Sequence, residues 1–224
     1  MMALRLPVAL TLWSFWAATD AYRIAGSQVD GFKNAEKPAD LQSDTGTDEG
    51  LPGPDLEELM DLLDSPKKLA RLDAAQEIGK MGKKGAAAIP QLIDRLDDTE
   101  GKNVRIAAAE ALGKMGGLAA ASVGPMFNVL GQDITSPEDR YLKAASVALG
   151  KIGKEEPNAV IKVVRERLGY HGWISKWLAV TACGRMGEPA ATMARKLREM
   201  SYDDDERVRE AAKQALELID KDMS

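Results

Sequence analysis

RIAAAEALGKMG at residues 105–116 is the stretch that decides the fold, because the chain repeats it. It returns as RLDAAQEIGKMG (71–82), LKAASVALGKIG (142–153) and KWLAVTACGRMG (176–187), and in degraded form as REAAKQALELID (209–220). The first residues of successive copies stand 34, 37, 34 and 33 positions apart, a period that belongs to stacked helical repeats. A second helical pattern lies upstream of each copy: DLEELMDLLD, AAAIPQLIDRLDD, ASVGPMFNVLGQD, NAVIKVVRERLG and ATMARKLREM. Each unit is therefore a helix, a short turn and a second helix. No unit can bury its own apolar face, so stacking must supply the core.

The local chemistry fits that reading. With 100° per residue, Ala108, Ala111, Leu112 and Met115 fall within about 80° of Val104 on a helix, and the alanines beside them let neighbouring helices approach closely. Gly82, Gly116, Gly153 and Gly187 follow the last apolar residue, where a left-handed C-cap is expected. Ser65-Pro66 and Ser136-Pro137 read as an N-cap followed by proline at the first helical position. The paired glycines Gly79/Gly82, Gly113/Gly116, Gly150/Gly153 and Gly184/Gly187 sit at helix C-termini. That is the wrong end of the dipole for a phosphate, so they are structural. The fifth copy lacks the Gly-x-x-Gly ending and is rich in charge, as a terminal unit should be.

This pattern resembles the HEAT-like repeat family, in the short form named after phycobilisome lyases. The resemblance rests on the Val104-Arg105 start, the Ala107-Ala108-Ala109 middle and the Leu112-Gly113-Lys114-Met115-Gly116 end, and it covers residues 55–220. It implies an all-α, right-handed α-solenoid of about five HEAT-like repeats, over a domain at 55–222, with the second helix of each repeat lining the concave surface. It further implies a non-catalytic protein-binding scaffold or adaptor. The alternative is an accessory or lyase-like factor assisting chromophore or cofactor attachment, because related short repeats occur in phycobilin lyases. HEAT-like iron hydroxylases carry repeated His-Glu pairs, which one histidine cannot provide.

The 224 residues carry a formal charge of −5, which argues against nucleic acid as partner, since that needs a concentrated basic surface. One cysteine, Cys183, and one histidine, His171, leave no internal disulfide and too few ligands for an ordinary zinc site. No cofactor, metal or catalytic residue is expected. The opening MMALRLPVALTLWSFWAATDA has Arg5, then an uncharged run from Leu6 to Ala18, then Thr19-Asp20-Ala21. Thirteen residues fall short of the roughly 20 that span a bilayer, so 1–21 reads as a signal peptide cleaved after Ala21, with an uncleaved anchor as the other reading. The localisation implied is the secretory pathway, secreted or periplasmic, or a plastid if the source is an alga with bipartite targeting. No stable membrane span would remain after cleavage. Residues 22–54, rich in Gly, Ser, Asp, Pro, Lys and Glu, read as a flexible linker.

Several positions are candidates for partner contact. On the wheel that starts at Val104, Ile106 and Glu110 fall at about 200° and 240°, opposite the apolar stripe and toward the groove. Their equivalents are Leu72 and Gln76, Lys143 and Val147, Trp177 and Thr181, and Glu210 and Gln214. Leu72, Ile106, Val147 and Trp177 are apolar where a solvated face would be polar, which marks a recognition surface. Tyr170, His171 and Trp173 lie where other repeats place polar turns; they either plug a gap between repeats or contact a partner. Arg71, Arg105, Lys176 and Arg209 share one repeat position and are expected to pair with acidic groups such as Asp98, Asp139 and Asp203 to Asp205, with Leu142 breaking the series. Cys183 matches Leu112 and is expected in the core. Basic residues outnumber acidic ones between Tyr141 and Met200. That excess is either ordinary solvated helix surface or a basic half facing an acidic partner protein or a phosphate-bearing surface.

Overall fold

The computed structural model describes residues 55–99, 101–131 and 133–224; the signal peptide expected over 1–21 and the linker over 22–54 lie outside the described residues. Ten α-helices and no strand occur among the described residues. They pair as the repeat demands: α1 (Leu56–Leu63) with α2 (Lys68–Met81), α3 (Ile89–Asp94) with α4 (Lys102–Met115), α5 (Val123–Asn128) with α6 (Arg140–Glu155), α7 (Pro157–Arg167) with α8 (Trp173–Met186), and α9 (Ala194–Met200) with α10 (Glu206–Asp222). The even helices pack in chain order, α2 on α4, α4 on α6, α6 on α8 and α8 on α10, forming one continuous layer of an α-solenoid. The odd helices are shorter, and 3-10 segments at Gly82–Ala88, Gly116–Ser122 and Glu188–Met193 lead into three of them.

The core follows the apolar stripe. Val104, Ala108, Ala111, Leu112 and Met115 are all buried. Ile78, Leu112, Leu149 and Cys183 occupy the same repeat position and are fully enclosed, each aliphatic member contributing about 1.5–3 kcal/mol. The 37-residue spacing is absorbed in the α5–α6 connection, which spans 129–139 where the other connections into even helices take four to seven residues. That loop is anchored by buried Ile134 and by Asp133, which accepts from Arg105 at 3.1 Å.

Three local expectations are corrected. Gly82, Gly116 and Gly187 do have positive φ, at 57°, 63° and 70°, but their ψ values of −129°, −140° and −135° are far from a left-handed helical cap. This region is essentially open to glycine alone, and it turns the chain straight into the following 3-10 segment or helix. Gly153 is not a cap at all: α6 runs on through it to Glu155, because Pro157 rather than a glycine sets the break. The Ser-Pro pairs do not start helices either. Ser65 Oγ accepts from the Lys67 amide and Ser136 Oγ from the Glu138 amide, local turns that spend the hydroxyl before the helix begins. α6 is instead capped by Asp139, whose carboxylate takes the amides of Tyr141 and Leu142.

Candidate functional site

The layer of even helices decides where a partner could touch. On α4 the exposed residues past the first turn are Glu110 and Lys114, at about 240° and 280° from Val104. Ile106, at about 200°, is only 5% exposed and belongs to the core. The open strip is thus rotated from the direction opposite the apolar stripe, because α4 has α2 and α6 on its flanks as well as its odd-numbered partner behind. Ile106 is closed off by this crowding. Leu72, Trp177 and Thr181 are half-buried, with Leu72 and Trp177 packed against the core, while Glu110, Lys143 and Val147 are exposed.

Glycine sets how closely the inner helices meet. A Cβ added at Gly79 would stand 3.2 Å from Ala111 Cβ, at Gly113 2.7 Å from Ala148 Cα, and at Gly184 2.8 Å from Ala215 Cα. Ala111, Ala148 and Ala215 are one repeat position. Gly150 breaks the series: it faces Arg185, at 2.5 Å from its Cβ, three residues beyond the equivalent Ala182. The α6–α8 seam therefore differs from the other three in the residue its glycine meets. Arg185 Nε donates to Ser146 Oγ at 3.1 Å across this seam.

An open hollow of about 320 Å3 lies on the inner layer over that seam, lined by Val147, Gly150, Lys151 and Lys154 of α6, Gly184 and Arg185 of α8, and Leu218 and Asp222 of α10. Val147 and Leu218 are 38% and 47% exposed, the two large apolar side chains the inner layer leaves open there. Lys114, Lys151, Lys154 and Arg185 are exposed, and none forms an ion pair with another described residue. Most other lysines on the body are engaged: Lys80 with Glu77, Lys83 with Glu155, Lys143 with Glu138, Lys176 with Asp203. The repeat had flagged Val147 but not Lys114, Lys151, Arg185 and Leu218 as one stripe. The signal was present, since the residue after the first glycine of each Gly-x-x-Gly reads Lys80, Lys114, Lys151 and Arg185.

The remaining candidates lie elsewhere. Tyr170 is 52% exposed beside Arg167, whose guanidinium carbon sits 4.9 Å from its ring centre. Trp173 is half-buried, packs on the core and carries Arg207 at 3.7 Å from its ring centre; Arg207 also holds Asp205 through Nε and Nη2 at 2.9 and 2.7 Å. Trp173 is thus a packing residue of the α7–α8 turn with its outer ring face already taken. His171 is exposed. Arg71 lies in a buried pair with Asp98, Nε to Oδ2 2.6 Å, and also donates to the Ser65 carbonyl. Arg105 pairs with Asp133 rather than Asp139, Lys176 with Asp203, and Arg209 donates to the carbonyls of Asp203 and Asp204. Cys183 is fully enclosed and burial pushes its thiol up to about 12. Among the described residues no group of acidic, histidine or cysteine side chains is placed to hold a metal, and no helix is long and apolar enough to cross a membrane.

Residues 56–123 match the family model for HEAT repeats. Among solved structures the chain is similar to the complex of CpcE and CpcF of phycocyanin lyase from Nostoc sp. PCC7120, at 25% identity over 84% of this chain and 70% of that one, with a TM-score of 0.49. It is also similar to the archaeal HEAT-like repeats protein from Thermococcus onnurineus NA1, at 16% identity over 75% and 88% of the two chains, with a TM-score of 0.43. No curated protein matches. At these scores the overlays add nothing to the helix pairs themselves, which make the described body an α-solenoid whose residues 56–123 match HEAT repeats.

Proposed function

We propose that this HEAT-like solenoid is a non-catalytic scaffold that holds another protein on the layer of its even helices. The observation that carries the reading is the hollow over the α6–α8 seam, where Val147 and Leu218 stay open to solvent between lysines and an arginine. Exposed apolar side chains ringed by polar ones are what a protein interface presents before its partner arrives. Glu110, Lys143 and Thr181 flank the same layer and would form its rim. Under this reading Trp177 supports the layer from behind rather than serving as the anchor.

Cross-linking in the native extract tests it. A photoreactive residue at Val147 should capture a protein partner in high yield, and the same residue at Lys162, on the exposed side of α7, should not. Capture from Lys162 and none from Val147 would move the binding surface to the outer helices. The expected leader adds a second proposal, that the scaffold acts in the secretory pathway or periplasm; sequencing the native protein should then give Tyr22 first, and recovery of Leu6 to Ala18 in the mature chain would overturn it.

A further inference from the structure

We propose that the inner layer receives an extended acidic segment of the partner protein, with carboxylates on Lys114, Lys151, Lys154 and Arg185 and an apolar side chain seated between Val147 and Leu218. This rests on the scaffold reading and adds the chemistry of the partner. Three observations converge. The four cations stand in one strip at about 220–280° on successive inner helices, and none is neutralised by a described carboxylate. Seven of the twelve other described lysines hold a carboxylate, whereas the three in the strip hold none. The open hollow lined by Val147, Lys151, Lys154, Arg185 and Leu218 places the two exposed apolar side chains directly among three of these cations.

Spacing selects the shape of the ligand. Adjacent inner helices lie about 8–10 Å apart, so Lys114, Lys151 and Arg185 mark steps of that size. An extended chain advances about 3.3 Å per residue, and carboxylates three residues apart would meet successive helices. Lys151 and Lys154 lie one turn apart on α6 and would take one carboxylate between them. The apolar pair over the same seam requires an aliphatic or aromatic residue beside those acids. That requirement favours a peptide over a nucleic acid strand, whose phosphates run without apolar side chains. The flanking carboxylates point the same way. Asp222 borders the hollow, Glu110 lies beside Lys114, and α10 continues with Glu210 and Glu217, so a long uniform polyanion would meet repulsion at the α10 end. They leave room for a short acidic segment, with charge complementarity setting orientation.

Fluorescence anisotropy on the full chain tests this with a labelled peptide carrying aspartate at every third position and leucine between. Binding is expected, with a dissociation constant that rises with salt. The K151E/K154E variant should weaken it at least tenfold, equivalent to about 1.4 kcal/mol. Lys114→Glu should weaken it less, and Lys162→Glu on α7 not at all. These lysines are exposed and unpaired, so the melting temperature should hold, and circular dichroism confirms each variant is folded. A peptide with lysine in place of aspartate should not bind. No binding of the acidic peptide, or equal binding by K151E/K154E, overturns the proposal. So does a single-stranded oligonucleotide that binds more tightly than the peptide through the same lysines. The two readings separate on the native partner: loss of its capture in Val147→Arg with full capture in K151E/K154E removes the acidic chemistry and keeps the scaffold, whereas capture unaffected by either variant removes both.

Discussion

The α4–α6 seam and the α6–α8 seam are built from nearly the same letters and do different things. In the first, Gly113 receives Ala148 backbone against backbone, as Gly79 receives Ala111 and Gly184 receives Ala215. In the second, Gly150 receives Arg185, about one turn further along, and an open hollow lies above the junction. A repeat protein can thus make a local site without inventing a motif. Replacing an alanine contact with an arginine contact at one seam is enough to distinguish it from its neighbours.

The comparison can be broken most severely at the regular end. Arg71 and Asp98 have side chains only 7% and 4% exposed, and Arg71 ties the start of α2 to the α3–α4 turn. Arg71→Ala takes the guanidinium away from a buried carboxylate and should cost about 3–5 kcal/mol in chemical denaturation. A loss under about 1 kcal/mol would show that the pair is solvated in practice.

Gly113→Ala and Gly150→Ala should each cost about 1–3 kcal/mol, because the new methyl group overpacks a closed seam. Their rescues should differ. At Gly150 the nearest atom is Arg185 Cβ and the next lies at 3.3 Å, so Arg185→Gly removes the clash. At Gly113 the Ala148 Cα itself stands at 2.7 Å, so Ala148→Gly leaves it in place. A double-mutant cycle should therefore give a favourable coupling of about 1 kcal/mol at the α6–α8 seam and a smaller one at the α4–α6 seam. Equal couplings would mean that the two seams are packed alike.

A smaller effect is expected at Cys183, on α8. Its thiol is enclosed and pushed up to about 12 by burial, so a maleimide should label it only after unfolding, and Cys183→Ala should cost about 1 kcal/mol. Rapid labelling of the folded chain would show α8 to be loosely seated. The smallest effect concerns pH. Burial raises the Asp139 carboxyl, but hydrogen bonds from Lys102 and from the Tyr141 and Leu142 amides outweigh it and hold it below its ordinary 3.8. Its folded value is the lower one, so its contribution is fully present above pH 3.8 and fades as pH falls through the depressed value. Asp139→Asn should flatten that part of the acid denaturation curve; an unchanged curve would assign the acid sensitivity to other carboxylates.

Much of the architecture was legible in the letters. The recurrence of RIAAAEALGKMG, its spacing and the five upstream patterns gave the helix pairs, and the wheel from Val104 gave the stripe that is buried. A period carries this information because every helix must bury the same face against its neighbours. The basic ladder pairing with turn carboxylates was also readable, although Arg105 found Asp133 in the longer connection instead of Asp139. Ile106 was misplaced because a wheel describes one helix alone: it locates the face that points to the odd-numbered partner and is blind to the flanking inner helices that close much of the opposite side.

What the sequence by itself determined is the repeat, the core positions and the identity of the glycines that allow close approach. What only the tertiary structure decided is which residue each glycine meets. Gly113 and Gly150 are the same letter in the same motif, yet one faces an alanine and the other an arginine. Register between packed helices is a property of the pair: it is set by how side chains on both surfaces interlock, and no single helix encodes it. The arginine contact at α6–α8, the hollow beside it and the solvent exposure of Val147 and Leu218 all follow from that pairing.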